Sequence, residues 1–473
     1  MQQWVETETQ TADFNDDRLD ARCRFVLDRV SLKPSLSIPA AHQGNSETQA
    51  AYRFFNNPKV TAAKILQPHR DATIERMRSH SIILVAQDTT EIDLTRAKEK
   101  VGGPLNSANR YGLYVHPLLA MTPDRVPLGV IHAKIWSRDP DEFAKTQTQK
   151  KKDRKAKSFA EKESYRWLSG YEQTCDIAKD LPDATVVSIA DSEGDIYECL
   201  LAGRSGEADF IIRGCQDRAV WEEECSQLME TLKCKAILGT LTVRVTARPA
   251  SSGAGSQRHP ARAARTVKLS IRSATVQLRA PYRPDGKLEN VLVHVVWARE
   301  EHPPAGEEAI EWVLATSLPV TTFAESQTVL EYYCCRWEIE IYFRVLKSGC
   351  GVEKLQLEKQ SRFEVCLAMY LIVAWRVLHV LMMGREHPEW TCDVVFSEAE
   401  WKSVYVIVRG KPAPLTPPKL GEFIEWLAEL GGYLNRKGDG PPGPKAIWIG
   451  LQRMSDFVLA WNAFTSLPPP IVV

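Results

Sequence analysis

The chain has 473 residues, and since a domain usually takes about 100–200 residues, two to four domains are expected. Its 44% of hydrophobic and 25% of charged residues are typical of a globular protein and exclude a disordered or fibrous chain. The 60 basic and 60 acidic residues cancel, so any surface that attracts an acidic polymer must be local.

The amino terminus, the apolar runs and the cysteines together predict a cytoplasmic protein. The first ten residues, MQQWVETETQ, have neither the basic nor the apolar region of a secretion signal. The longest apolar run, Val365–Trp375, is shorter than the about 20 residues that span a bilayer, so no membrane partner is expected. The 11 cysteines form no CxxC pair, which predicts reduced thiols and neither a disulfide framework nor a zinc ribbon.

The hydrophobic pattern predicts an α/β fold made of five regions. Residues 1–75 carry apolar residues at helical spacing, and 76–220 alternate buried strands with helices, as in an α/β core. In 221–318 apolar and polar residues alternate with period two, which predicts an antiparallel β insertion with one solvated face. Residues 319–390 return to helical spacing and complete the core. Residues 391–473 are predicted to form a helical carboxy-terminal domain.

One local basic segment stands out, KTQTQKKKDRKAK at Lys145–Lys157. It holds seven lysines or arginines against one aspartate. A mobile, solvated loop and a segment that contacts phosphates both fit this composition, and the sequence leaves the choice open.

A helix is predicted after residue 322. Thr322 and Glu325 have the spacing of a capping box, and Gly349 stands where a helix end is expected. At about 100° per residue, four polar side chains of this helix fall within an arc of about 60° beside the apolar stripe. They are spaced Y-x2-R-x3-E-x6-K, and they are Tyr333, Arg336, Glu340 and Lys347.

The same helix also allows an alternative interpretation without a functional site. Glu331 and Glu338 are predicted to face solvent. Because Arg336 and Glu340 are four residues apart, an ordinary surface ion pair would explain the two charges without any site.

Two aspartates strengthen the case for a site. Asp88 follows the apolar run SIILVAQ and Asp191 follows TVVSIA, and ligands of α/β proteins lie at the carboxyl ends of strands. A single aspartate there is more often a turn residue. If Asp88 and Asp191 lie close to Glu340, the three carboxylates repel one another unless a cation neutralises them. Oxygen ligands with open positions suit Mg²⁺ or Mn²⁺, and two such ions serve phosphoryl transfer.

These residues resemble the cut-and-paste DDE transposases of the insertion-sequence-four family. The resemblance rests on Asp88 in QDTT, on Asp191 in ADSEGD and on the four-residue signature from Tyr333 to Lys347. AYRFFNNP at Ala51–Pro58 and EKESYRWL extend it over nearly the whole chain. It implies a ribonuclease-H-like core, and a catalytic triad that binds two Mg²⁺ ions, with Mn²⁺ as a substitute. The triad consists of Asp88, Asp191 and Glu340.

The resemblance also implies a reaction and its partners. Hydrolysis at the transposon end would be followed by hairpin formation, hairpin resolution and transfer of the 3′-OH into target DNA. The partners would be the terminal inverted repeats, the target DNA and a second protomer, in a bacterial cytoplasm and on the nucleoid. Six DNA-contacting residues are implied: Tyr333, Arg336, Lys347, Arg213, Trp312 and Trp337.

Roles for four of these six follow from the same resemblance. Tyr333 and Arg336 would hold the phosphate beside a flipped base, and Lys347 a second phosphate near the scissile bond. Trp312 would fill the gap left by the base, although Trp312 and Trp337 could also be core aromatics. Two alternatives stay open, namely a related nuclease without strand transfer and a catalytically silent DNA-binding or inhibitory protein.

Overall fold

The computed structural model describes residues 1–42, 44–96, 101–107, 109–143, 145–222, 225–248, 261–283 and 286–465. These residues fall into two compact units. The first unit comprises Met1–His80, Asp88–Lys151 and Trp337–Val473, and the second comprises Ser81–Gln87 and Lys152–Arg336. The predicted α/β class is confirmed, with helical regions at both ends of the chain. The boundaries of the five predicted regions stay predictions.

The described residues contain eleven strands. In chain order they are β1 (Ile82–Gln87), β2 (Thr90–Asp93), β3 (Gly103–Pro104), β4 (Tyr111–Met121), β5 (Pro127–Trp136), β6 (Thr185–Ala190), β7 (Asp209–Arg213), β8 (Gly239–Val245), β9 (Arg265–Leu278), β10 (Val291–Glu300) and β11 (Glu311–Thr316).

Fifteen α-helices lie in the same described ranges. They are α1 (Gln3–Glu8), α2 (Asp17–Leu32), α3 (Ile38–Ala41), α4 (Asn45–Phe55), α5 (Ala62–Met77), α6 (Gln147–Ala156), α7 (Tyr165–Lys179), α8 (Tyr197–Gly203), α9 (Leu228–Cys234), α10 (Phe323–Cys335), α11 (Trp337–Arg344), α12 (Gln360–Glu386), α13 (Glu398–Arg409), α14 (Leu420–Leu430) and α15 (Pro444–Thr465).

The second unit is built on one mixed sheet. β1 and β6 pair in parallel, as do β6 and β7. β7 then pairs antiparallel with β11, and the antiparallel series continues through β10 and β9 to β8. The inserted strands therefore extend the core sheet. β1 and β6 are buried along almost their whole length, whereas β8 alternates half-buried and exposed residues, as the sequence pattern predicted.

The first unit places its own strands around β4, which pairs antiparallel with β2, β3 and β5. β4 and β5 form a hairpin, and Arg125 in its turn has a positive φ of 66°. Helices α5 and α12 pack on β5. The apolar run Val365–Trp375 lies inside α12. Among the helices of the described residues, α12 is the one that is long and apolar enough to cross a membrane. Within the protein, however, 89% of its most apolar window is buried, as in a core helix.

The basic segment Lys145–Lys157 is a helix over most of its length, since α6 covers Gln147–Ala156. The segment is therefore a helix and not a loop, although most of its described residues are exposed to solvent, as the alternative of a solvated loop expected. A run of glutamine, lysine and arginine explains the helix, because all three have good helix propensity. Whether the segment contacts phosphates stays open.

Candidate active site

The strands that lead to Asp88 and Asp191 end side by side in the sheet of the second unit. Ala86 near the end of β1 is in register with Ile189 near the end of β6. The Gln87 side chain donates a hydrogen bond across the same pair of strands, from Nε2 to Ser188 Oγ at 3.0 Å. Each aspartate follows directly on the last residue of its strand, at the sheet edge where ligands of α/β proteins bind.

Asp191 is held by the turn that it begins. It is half-buried, and its Oδ1 accepts the Glu193 backbone N–H at 2.8 Å, which caps the short 3₁₀ helix Ser192–Gly194. A side chain at Gly194 would stand only 3.3 Å from the Trp167 ring and 2.7 Å from the Ala190 methyl group. Glycine therefore lets α7 pack closely behind the turn, which fixes the backbone at Asp191.

Three of the predicted DNA-contacting residues lie together beside Asp191 in the second unit. Tyr333 and Arg336 are only 3% and 5% exposed, and the Arg336 guanidinium lies 5.9 Å from the centre of the Tyr333 ring. Burial raises the pKa of Tyr333. The positive charges of Arg336 and Arg213 oppose this shift, and the negative charge of Asp191 adds to it. At neutral pH the site therefore offers a phenol O–H and two guanidinium groups, all of which can donate hydrogen bonds to a phosphate.

A buried aspartate that the sequence analysis missed organises the neighbouring loop. Asp195 is 5% exposed, and its Oδ2 accepts the backbone N–H groups of Cys215 and Gln216 at 2.8 and 3.0 Å. Its Oδ1 accepts two hydrogen bonds from Arg218, from Nη2 at 2.5 Å and from Nε at 3.1 Å. Because β7 ends at Arg213, this network holds the loop that directly follows that arginine.

Glu340 lies on α11 in the first unit and is exposed. The predicted continuous helix is not regular. Its capping box forms as expected, with the Glu325 N–H donating to Thr322 Oγ1 at 3.2 Å. At Arg336, however, the backbone N–H bonds to the Tyr333 carbonyl three residues earlier. The helical segment then ends in a π-helical turn at Val345–Gly349.

That irregularity overturns one prediction. Glu331 is exposed as expected, but Glu338 is 3% exposed and does not face solvent. Because α10 ends at Cys335 and α11 begins at Trp337, a phase counted along one continuous helix does not apply to α11, whose buried face runs through Glu338, Ile339 and Tyr342.

Lys347 belongs to the π-helical turn and lies in a charged cluster of the first unit. Burial lowers the pKa of its ammonium group, whereas the carboxylates of Glu353 and Glu91 raise it. Glu353 also accepts the Asp93 backbone N–H at 3.0 Å. Arg110 donates to Asp93 at 2.9 Å and to Glu91 at 3.3 Å. Lys347 therefore lies near two carboxylates, that of Glu91 on β2 and that of Glu353, which follows the π-helical turn. π-helical turns are frequent at functional sites.

The two tryptophans differ in exposure. Trp337 begins α11 and is 49% exposed, so the alternative of a core aromatic is wrong for it. Trp312 is half-buried on β11, opposite Ala298 of β10.

The three carboxylates suit a hard divalent cation by their chemistry, and two of them follow neighbouring parallel strands. Within the described ranges, no three His, Cys, Asp or Glu side chains lie close enough to one another to hold a metal ion. Asp88 and Glu340 belong to the first unit and Asp191 to the second. The assignment of the triad therefore stays a prediction.

Three family models match the chain. Residues 1–60 match "Transposase DNA-binding", 141–376 match "Transposase DDE domain" and 372–466 match "Transposase Tn5 dimerisation domain". Eight of the nine predicted site residues lie within the DDE match, and Asp88 lies outside all three.

The similar solved structures include a chain in a cryo-EM structure of a piggyBac transposase synaptic complex with hairpin DNA. The alignment covers 99% of this chain and 79% of that one, at 8% identity and a TM-score of 0.38. At that score the likeness carries no argument.

Proposed function

The chain carries a transposase DNA-binding domain, a DDE transposase domain and a Tn5-type dimerisation domain, and we propose that it catalyses cut-and-paste DNA transposition as a homodimer. A DDE domain makes it an enzyme that acts on DNA and depends on a divalent metal. The finer assignment, to the insertion-sequence-four family with a hairpin intermediate, is part of the proposal.

The observation that carries the proposal is the group of donors beside Asp191. Tyr333 lies near the guanidinium groups of Arg336 and Arg213 and near the carboxylate of Asp191, which follows a core strand. Hairpin formation needs a sharply bent strand, and a bent strand needs its phosphates held while a base is extruded. A buried tyrosine with two arginines suits a phosphate, because guanidinium groups bind its oxygens through charge-assisted hydrogen bonds.

Asp88, Asp191 and Glu340 would hold the metal ions, which when bound activate the attacking oxygen and stabilise the leaving one. The proposal is supported by β1 and β6, which directly precede Asp88 and Asp191 and whose ends are in register. Glu340 is exposed on α11, and its place in the metal-binding set is part of the proposal.

The remaining residues would position DNA around this centre. Lys347 supplies a partly buried positive charge for a second phosphate. The exposed ring of Trp337 and the half-buried ring of Trp312 are suited to stack on bases. The two protomers would pair through α14 and α15, which lie within the dimerisation match.

A plasmid that carries the gene's own flanking DNA as its two ends tests the proposal. The plasmid is incubated with the full-length protein and Mg²⁺, and the products are separated on a denaturing gel. Glu340→Gln is compared with Glu331→Gln, a matched change at an exposed glutamate of α10 that the proposal gives no role.

Hairpin-ended excised fragments from the wild type and Glu331→Gln, but not from Glu340→Gln, are expected. Nicked DNA without hairpins would instead indicate a nuclease without strand transfer. Bound but uncut DNA would indicate a silent DNA-binding protein.

A further inference from the structure

We propose that His116 is a positioning residue that orients the carboxylate of Asp88 through the side chain of Thr89. The inference rests on the proposed function in one respect, namely that Asp88 is a metal ligand. All three residues belong to the first unit.

The three side chains form a short chain of hydrogen bonds. The Thr89 backbone N–H donates to Asp88 Oδ1 at 2.7 Å. The Thr89 hydroxyl, in turn, is hydrogen-bonded to His116 Nδ1 at 2.9 Å. The first bond orients the carboxylate, and the second fixes the residue that makes the first.

The pairing of β2 with β4 explains why His116 meets Thr89. The two strands are antiparallel, and Thr90 at the start of β2 is in register with Val115. One step further along both strands, Thr89 stands opposite His116, where side chains of an antiparallel pair lie within contact distance.

The imidazole is firmly held where it is. His116 is 1% exposed, and on its other side β4 is paired with β5, where Lys134 is the partner of His116. Thr89 is half-buried and β-branched, so its side chain has few rotamers and transmits the restraint to its backbone. A buried histidine in a strand is thereby available as a rigid support for a ligand on the neighbouring turn.

Groups that orient metal ligands in this way typically contribute about 10- to 100-fold to metal affinity or activity. The expected consequence is that the bond between Thr89 and His116 affects metal binding before any DNA is cut. The measurement is the affinity of the full-length protein for Mn²⁺ without DNA. Binding is monitored by electron paramagnetic resonance as a decrease in the signal of free Mn²⁺, so the measurement does not depend on catalysis.

Paired variants separate the hydrogen bond from packing. Thr89→Val and His116→Leu remove it at nearly constant volume, and each is expected to weaken Mn²⁺ binding by about 10-fold. Thr89→Ser keeps the hydroxyl and His116→Asn keeps a polar atom near the Nδ1 position, so both should bind within about 2-fold of the wild type. The double variant Thr89→Val with His116→Leu should be no weaker than either single change, because both remove the same bond.

The chain offers a matched control. Thr275 Oγ1 and His294 Nδ1 form the same kind of bond at 2.8 Å, between β9 and β10 of the second unit. His294→Leu should leave Mn²⁺ binding unchanged.

The outcomes distinguish this inference from the function on which it rests. If Asp88→Asn abolishes Mn²⁺ binding while Thr89→Val and His116→Leu bind like the wild type, the inference is wrong and the metal site stands. If Asp88→Asn binds Mn²⁺ like the wild type, Asp88 is not a metal ligand, and both the inference and this part of the proposed function are wrong. Additive losses in the double variant would show that His116 does not act through Thr89.

Discussion

Asp195 and Arg218 form a buried ion pair in which the arginine binds both the carboxylate and the backbone of the aspartate. Nη2 of Arg218 lies 2.5 Å from Asp195 Oδ1 and 2.8 Å from the Asp195 carbonyl oxygen. The side chains of this pair are 3% and 12% exposed. The pair joins the segment after Asp191 to the segment after Arg213, so both site residues depend on it.

Replacing this aspartate should therefore affect stability and function together. Asp195→Ala leaves a buried guanidinium and two backbone N–H groups without their acceptor, which should reduce the free energy of unfolding by about 3 kcal/mol. The midpoint of thermal unfolding is the measurement. Asp176→Ala, at an exposed aspartate paired with Lys179, is the control and should change stability by less than about 1 kcal/mol. Equal small effects in both variants would contradict the structural role of Asp195.

Arg336 is expected to matter most for the step that bends the DNA. Arg336→Ala removes charge-assisted hydrogen bonds to a phosphate, each with a contribution of about 1.5–3 kcal/mol, so hairpin formation should slow by about 10- to 100-fold. The first-strand nick, which needs no bent strand, should slow less. Rates of nicking and hairpin formation on a pre-cut end give both numbers. Arg344→Ala, at an exposed position of α11, should slow neither step. Equal slowing of both steps by Arg336→Ala would show that the arginine does not act specifically on the bent strand.

Glu338 predicts a pH-dependent change in stability. In the described chain its Oε2 is buried without a hydrogen-bond partner, and the Arg125 guanidinium lies 3.8 Å from Oε1. Burial raises the pKa of this carboxyl above its usual 4.5, although Arg125 opposes the shift. The folded state thus holds the proton more tightly than the unfolded state. Protonation of Glu338 therefore stabilises the folded state. This contribution to the free energy of unfolding is complete below pH 4.5 and is lost as the pH rises through the pKa of Glu338 in the folded state.

Glu338→Gln should for that reason stabilise the protein at pH 8, by about 1 kcal/mol, and should give no gain at pH 4. Thermal unfolding midpoints of the two proteins at both pH values check this. A gain of the same size at pH 4 and pH 8 would show that ionisation of Glu338 is not the cause.

Local patterns in the sequence predicted the parts of the site that depend on neighbouring residues. The capping box of Thr322 and Glu325, the buried strands before Asp88 and Asp191, and the alternating β insertion all follow from spacing within one element. Such patterns carry their own physical cause, since hydrogen bonding and burial are set within a few residues.

What the sequence could not predict depends on distant contacts. Asp195 contacts Arg218 across 23 residues, and Thr89 contacts His116 across 27, and no local pattern specifies either contact. The helix is interrupted at Arg336, which propensity does not reveal, so the exposure of Glu338 could not be read from the phase of one regular helix. When the exposure of a carboxylate is predicted from helical phase alone, the prediction fails where the helix deviates from regular geometry.

The most direct test of the central claim, that the strand-end carboxylates hold the catalytic metal ions, is a metal switch at Asp191. A thiolate is a poor ligand for Mg²⁺, and Mn²⁺ accepts it better. Cleavage of a transposon-end duplex should be lost in Asp191→Cys with Mg²⁺ and restored about 10-fold or more with Mn²⁺, while Asp191→Ala stays inactive with both ions. Equal rates of Asp191→Cys with the two ions, or equal restoration of Asp191→Ala, would contradict a role for Asp191 as a metal ligand.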